Sequence, residues 1–186
     1  MKKILLILTL SIFSFASNLP INSVVKIFST VSDQNYLEPW ENPKIYNLTG
    51  SGAIIKDNRI LTSAHVVSGA NFVEVQKEND SKKYDATVKY ISNDVDLAIL
   101  EVNDKTFFAD TKPLEISEDI KIKDSVTAIG YPVGGNTLST TNGIASRIEY
   151  RNYIWNPWAQ YMTIQVDAAI NSGNSGGAII DKDNKL

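Results

Sequence analysis

The feature that most constrains the fold of this chain is a succession of short apolar segments rich in β-branched residues, without a sustained 3.6-residue apolar period. Six such segments occupy residues 23–28, 52–56, 59–62, 72–76, 85–91 and 97–102, and four more occupy residues 125–129, 143–148, 162–166 and 178–180. A polar, acid-rich stretch over residues 103–124 separates the two groups. This pattern predicts an all-β chain with two small lobes, each a barrel or a sandwich.

Two connections between these segments are long, at residues 31–49 and 150–159, and both contain tryptophan beside proline. Long loops with aromatic residues either serve a function or pack their tips onto the body of the protein, and the sequence leaves both alternatives open. Between the second and third segments, Asp57 and Asn58 favour a two-residue hairpin turn.

The first residues are typical of a secretory signal. Lys2 and Lys3 precede an apolar stretch over residues 4–15, and Ser14 and Ala16 place small residues where a signal peptidase cleaves. The stretch is short for a membrane span, so we expect residues 1–16 to be cleaved on export to the periplasm or another extracytoplasmic space, with no stable span afterwards. A retained membrane anchor is the alternative. Residues 17–186 would then be one domain, with lobes at about 23–103 and about 120–186.

Composition excludes several kinds of site. The chain has no cysteine and a single histidine, His65, which excludes a thiol nucleophile, thiolate metal sites and a multi-histidine metal centre. We therefore expect no metal and no cofactor. The net charge of −3 argues against a nucleic-acid-binding surface, which is normally basic.

A glycine-rich segment, Gly173-Asn174-Ser175-Gly176-Gly177, contains the candidate nucleophile Ser175. A serine hydroxyl attacks efficiently only when a base takes its proton, and the oxyanion that develops needs backbone N–H donors. The glycines allow a sharp turn that brings the amides of Gly173 and Ser175 onto one point. Read alone, such a segment is more often an ordinary turn between strands.

Two further residues could complete the chemistry. His65 follows the segment at 59–62 among small residues, which leave room for a substrate beside the imidazole. Asp96 precedes the strongly apolar segment 97–102, so we expect its carboxylate to be half buried and to need a partner. Read alone, a single histidine is more often structural and such an aspartate is more often a turn or cap residue.

The order His65, Asp96, Ser175 is the order of the chymotrypsin-type catalytic triad. In such a triad the aspartate orients the imidazole and stabilises the imidazolium that forms. One lobe would supply His65 and Asp96 and the other Ser175, with the cleft between the lobes.

The chain resembles the trypsin-like serine proteases of the HtrA (Do/Deg) family over nearly all residues from about Ser23 onward. The matching stretches, in order, are Gly50-Ser51-Gly52-Ala53-Ile54-Ile55, Ile60-Leu61-Thr62-Ser63-Ala64-His65-Val66-Val67, Asp96-Leu97-Ala98-Ile99-Leu100, Ile129-Gly130-Tyr131-Pro132-Val133-Gly134-Gly135 and Gln165-Val166-Asp167-Ala168-Ala169-Ile170-Asn171-Ser172-Gly173-Asn174-Ser175-Gly176-Gly177.

The resemblance implies two six-stranded β-barrels of the chymotrypsin/trypsin-like type, with His65, Asp96 and Ser175 as the triad. It implies an oxyanion hole from the backbone of Gly173, Asn174 and Ser175. It also implies an endopeptidase that degrades unfolded or misfolded proteins in the cell envelope and assembles as trimers or larger oligomers. The loops at residues 31–49 and 150–159 are candidates for switching the active site between ordered and disordered forms.

By the same resemblance, Ala169 and Ile170 line the primary substrate pocket. The stretch has no charge, so we expect cleavage after small or medium apolar residues rather than after lysine or arginine. The chain departs from the family at Ser172, where many members have proline. Lys185 and Leu186 are expected to begin a returning strand, so we expect a fragment whose second barrel is incomplete.

Two competing interpretations remain. A catalytically inactive or chaperone-like binding protein would retain the protease fold without turnover, although all three triad residues are present. A purely structural envelope β-protein would leave the glycine-rich segment and the single histidine unexplained.

Overall fold

The first six strands form a closed antiparallel barrel. The computed structural model describes residues 19–153 and 156–186. The barrel strands are β1 (Val24–Asp33), β2 (Lys44–Ile55), β3 (Arg59–Thr62), β4 (Ala70–Lys77), β5 (Tyr84–Ser92) and β6 (Leu97–Val102). Their order around the barrel is β1-β2-β3-β6-β5-β4, so each strand is paired on both sides and the barrel has no open edge. The predicted signal segment lies outside the described residues.

Four further strands form a second antiparallel sheet in the order β10-β7-β8-β9. They are β7 (Ser125–Gly130), β8 (Ser139–Tyr153), β9 (Asn156–Val166) and β10 (Ala178–Ile180). The prediction of an all-β chain with one complete barrel and an incomplete second one is confirmed. The helical elements in residues 19–153 and 156–186 are the single turn α1 (Ala64–Val67) and two 3-10 turns, Ile21–Ser23 and Lys105–Phe108. Within those ranges, no helix has the length and apolar character needed to cross a membrane.

Two cores hold the fold together. The first fills the barrel and includes Ile27, Val75 and Leu100, none of which is exposed. The second lies where the barrel meets the sheet, and it joins Val24 of β1 with residues such as Ile180 of β10. Successive residues of β1 therefore face two different cores, which explains why its first four residues are all buried. The apolar contacts of the second core hold the two lobes together.

The predicted loop at residues 31–49 is shorter than expected, because both flanking strands continue into it. Val31 pairs with Tyr46 and Asp33 with Lys44, which leaves residues 34–43 as the connection. Ile45, Tyr46 and Thr49 of β2 have high β propensity, and pairing satisfies backbone groups that a free loop would leave to solvent. The tip carries strongly exposed aromatic residues, with Trp40 80% exposed.

The prediction of a loop at residues 150–159 is wrong. Strands β8 and β9 form one long hairpin, in which Tyr150 pairs with Met162 and Tyr153 with Asn156. Pro157 lies within β9, which is an edge strand of the sheet and can therefore accommodate a residue that lacks an N–H. The shorter turn after β2 comprises residues 56–58, and both Asp57 and Asn58 have positive φ, at 63° and 54°.

Candidate active site

His65 lies in the single helical turn that follows β3, and a distant aspartate stabilises the start of that turn. The first N–H groups of a helix have no partner within the helix. Here the N–H of Ala64 donates to the main-chain carbonyl of Asp96 at 3.1 Å, and the N–H of His65 donates to Asp96 Oδ1 at 2.7 Å. Asp96 thus fixes the backbone that carries the histidine.

Asp96 also contacts the imidazole directly. Its Oδ2 lies 2.7 Å from His65 Nδ1, and its side chain is 2% exposed against 28% for that of His65. A buried carboxylate at this distance favours the tautomer with the proton on Nδ1, which leaves Nε2 able to accept a proton. The φ of Asp96 is 53°, a left-handed conformation that aspartate tolerates better than most residues.

A third group, Tyr153, reaches the same carboxylate. Its phenol donates a hydrogen bond to Asp96 Oδ2 at 2.8 Å. Burial is the main cause that raises the pKa of Tyr153, to about 12, and the hydrogen bond to Asp96 acts in the same direction. Sequence analysis did not find this residue, because nothing near Tyr153 in the chain indicates that the hairpin reaches the first barrel.

The segment that carries Ser175 is fixed by Ser51 of β2, which is fully buried. The Ser51 hydroxyl donates to the carbonyl of Gly173 and accepts from the N–H of Tyr131, each at 2.8 Å. The N–H of Ser51 donates to the carbonyl of Ser175 at 2.9 Å. Sequence analysis quoted Ser51 only as part of a glycine-containing motif and gave it no role.

Two glycines in this segment are required by close packing. Gly173 has a φ of 93°, and a Cβ there would lie 2.6 Å from both the Tyr131 carbonyl oxygen and the Val133 nitrogen. Gly176 has a φ of 77°, and a Cβ there would lie 2.4 Å from the carbonyl oxygen of Ser51. Any other residue would meet backbone atoms in an unfavourable conformation.

The amides around Ser175 have different partners. The carbonyl of Ser172 accepts a hydrogen bond from Val133 N–H at 2.7 Å, which fixes the plane of the peptide whose N–H belongs to Gly173. The N–H of Asn174 donates to the carbonyl of Asn171 at 3.0 Å and is therefore already engaged. Of the three residues predicted to form the oxyanion hole, Asn174 thus uses its amide to stabilise the turn.

The structure brings the segment of Ser175 against the segment of His65. A Cβ at Gly50 would lie 2.5 Å from Val66 of α1 and 3.2 Å from the carbonyl oxygen of Ser175. Gly50 therefore lies tightly between α1 and the segment of Ser175. A Cβ at Gly176 would lie 2.8 Å from the N of Ser63, which immediately precedes α1. The three predicted catalytic residues therefore lie on segments that meet where the lobes join.

A loop from β7 supports this region and is attached to the first barrel. Lys26 of β1 is 8% exposed, and its Nζ donates to the carbonyl of Gly135 at 2.9 Å and to Asn136 Oδ1 at 3.4 Å. The N–H of Leu138 donates to Glu78 Oε2 at 3.0 Å. These contacts hold residues 132–138, which include the N–H of Val133 that binds the Ser172 carbonyl.

The residues predicted for the substrate pocket precede this segment. Ala169 and Ile170 are both exposed, with Ile170 at 52%, and the carbonyl of Ala169 accepts a hydrogen bond from the Thr141 hydroxyl at 2.8 Å. In the part of the chain that the structure describes, no cluster of three or more His, Cys, Asp or Glu side chains is arranged to hold a metal ion.

Comparison with known proteins gives a consistent result. The sequence profile of the trypsin-like peptidase domain matches residues 50–186. The chain is 42% identical over 170 residues to "Protease Do-like 4, mitochondrial" of Arabidopsis thaliana, covering 91% of this chain and 33% of the relative. It is 40% identical over 154 residues to "Serine protease DegP homolog" of Plasmodium falciparum, covering 83% of this chain and 18% of the relative. The chain thus spans a third or less of the length of these relatives.

Solved structures agree with this result. The active form of the Rv3671c protease from M. tuberculosis is similar with a TM-score of 0.73 and 29% identity, covering 90% of this chain and 68% of that protein. The HtrA-type protease AlgW with a decapeptide is similar with a TM-score of 0.69 and 26% identity, covering 89% of this chain and 54% of that protein.

Proposed function

The chain belongs to the HtrA (Do/Deg) family of trypsin-like serine proteases, and on that premise we propose that it is a serine endopeptidase with the triad His65, Asp96 and Ser175. The observation that carries the proposal is the 2.7 Å contact between His65 Nδ1 and the buried Asp96 carboxylate, next to the segment of Ser175. This contact prepares the histidine to act as a base towards a neighbouring hydroxyl.

The reaction proceeds through an acyl-enzyme. His65 Nε2 takes the hydroxyl proton as Ser175 Oγ attacks the scissile carbonyl, and the imidazolium is stabilised by Asp96. His65 then gives the proton to the leaving amine, and water releases the acyl group by the reverse sequence. No cofactor takes part.

The developing oxyanion is held by the amides of Gly173 and Ser175, with Asn174 connecting them. The hydrogen bond from Val133 to the Ser172 carbonyl supports this role, because it orients the Ser172–Gly173 peptide with the Gly173 N–H on the opposite side. Removing one such donor lowers the rate of acyl transfer by about 10²–10³-fold.

The substrates are unfolded or misfolded polypeptides, and cleavage follows small or medium apolar residues. The uncharged stretch that contains Ala169 and Ile170 supports this preference, because it offers no carboxylate to pair with lysine or arginine. The protein acts outside the cytoplasm, in the periplasm or an equivalent space, after removal of residues 1–16. It works as a homo-oligomer, trimeric or larger.

The test combines an active-site probe with a protein substrate. We expect a fluorophosphonate to label the purified protein and unfolded casein to be degraded, with both activities lost in Ser175→Ala. Ser172→Ala is the matched control, because it removes a hydroxyl three residues away and keeps the carbonyl that Val133 binds. Peptide libraries should give cleavage after Val or Ala.

Two outcomes would overturn parts of the proposal. Absence of labelling in a folded protein that still binds casein would favour the chaperone-like binding protein instead. A strong preference for Arg or Lys before the scissile bond would contradict the proposed specificity alone.

A further inference from the structure

The end of β8 and the start of β9 extend from the second sheet to the turn that carries Asp96, beside the first barrel. Tyr153 ends β8, pairs with Asn156 of β9, and donates its phenol hydrogen to Asp96 Oδ2 at 2.8 Å. Asn156 Nδ2 also lies 3.5 Å from Asp94 Oδ1, on the turn that carries Asp96. The hairpin therefore contacts this turn at two points.

The Asp96 carboxylate has three donors on two oxygens. Oδ1 accepts from the His65 main-chain N–H at 2.7 Å, whereas Oδ2 accepts from both His65 Nδ1 at 2.7 Å and Tyr153 at 2.8 Å. Each hydrogen bond donated to a buried carboxylate favours its ionised form. Burial excludes water, so water cannot replace a donor that is removed. Tyr153 is the only one of the three donors that comes from the second sheet.

We propose that Tyr153 is a positioning residue for this active site, whose phenol holds the Asp96 carboxylate in line with the imidazole. The phenol also keeps the His65–Asp96 pair unprotonated, and so able to act as a base, down to a lower pH. This inference rests on the proposed function. The pKa of Tyr153, raised to about 12, means that the phenol keeps its proton and remains a donor at any pH at which a protease would work.

The sign of the effect follows from the charges. The pair carries one negative charge when His65 is neutral and none when it is protonated. A donor on Oδ2 stabilises the negative form more strongly, so removing it raises the affinity of the pair for a proton. Among the described residues, Tyr153 from β8 contacts the pair directly, and the titratable side chain of Asp94 lies on the same turn as Asp96.

The experiment uses the fact that His65 is the only histidine in the chain. In untagged protein, the imidazole resonances in an NMR titration report His65 alone. We expect Tyr153→Phe to raise the pKa of His65 by about one pH unit, which is a tenfold increase in proton affinity. This change corresponds to the lower end of the range of stabilisation by a hydrogen bond to a charged group. The acid limb of kcat/KM should move upward by the same amount, with little change in KM.

Tyr161→Phe is the matched control. Tyr161 lies on the same hairpin, and its hydroxyl contacts Asn156 rather than Asp96. An unchanged His65 titration in Tyr153→Phe, or an equal shift in Tyr161→Phe, would refute the positioning role. Because the titration needs no turnover, it also gives a result in Ser175→Ala, so failure of this inference is separable from failure of the proposed protease activity.

Discussion

Replacing Ser51 by alanine removes the hydroxyl that connects the segment of Ser175 to Tyr131, directly after β7. The change leaves two buried main-chain groups without their partner, the carbonyl of Gly173 and the N–H of Tyr131. Each buried group left without a partner lowers the free energy of unfolding by about 1–3 kcal/mol, and we expect a loss of about 3 kcal/mol for the two together. For a chain of this size, that corresponds to a fall in Tm of roughly 6–12 °C.

Activity should fall together with stability, because the Gly173 carbonyl belongs to the segment that we propose forms the oxyanion hole. We expect fluorophosphonate labelling of Ser175 to slow by about tenfold to 10²-fold, approaching the loss of one oxyanion donor. Thermal unfolding followed by circular dichroism, and labelling at a temperature where both proteins are folded, measure the two effects separately.

Ser29 provides the control, since it is 1% exposed and its hydroxyl has no hydrogen-bond partner among residues 19–153 and 156–186. Ser29→Ala therefore removes a buried hydroxyl without leaving a partner unsatisfied, and its Tm should stay equal to or above that of the wild type. If Ser51→Ala and Ser29→Ala unfold within about 2 °C of each other, the reasoning from orphaned groups is refuted.

Two further substitutions, each with a control variant, test the residues that support the site. Gly176→Ala should prevent folding or lower Tm by more than Ser51→Ala does, because its Cβ would lie 2.4 Å from the Ser51 carbonyl oxygen. Gly134→Ala, also at positive φ, places its Cβ in open space, so its stability should fall only by the roughly 1–2 kcal/mol of backbone strain. Equal losses of stability in the two variants would contradict the packing argument. Lys26→Met keeps the apolar part of the side chain but removes the donor to Gly135, so residues 132–138 lose one attachment to the first barrel. One such hydrogen bond contributes about 1 kcal/mol, and we expect kcat to fall at least about threefold. Lys44→Met, at the exposed start of β2, should leave kcat unchanged, and the two variants should differ in kcat rather than in KM.

Much of the fold could be predicted from local pattern. Strands β3, β6 and β10 have the predicted bounds, since their apolar and β-branched residues are limited by turn residues on both sides. The ends of β1, β2, β8 and β9 could not be predicted, because their outer parts are polar or contain proline and become strands only through pairing with each other. Such pairing depends on tertiary contacts that a short sequence window does not contain.

The site divides in the same way. His65 and Asp96 could be paired from their order in the chain, and their contact in the structure agrees with that hypothesis. Tyr153, at the end of β8, and Ser51, between two glycines of β2, contact their partners only once the two lobes have packed together. No spacing rule connects either residue with its partners.

The separation of the site along the chain has a consequence for biosynthesis. A ribosome completes β1 to β6, and with them His65 and Asp96, well before it reaches Ser175. The first barrel closes on itself, and N-terminal domains generally fold first during synthesis. On the proposed function, an emerging chain therefore contains a prepared base without a nucleophile, and hydrolysis begins only after the second sheet has docked through Ser51.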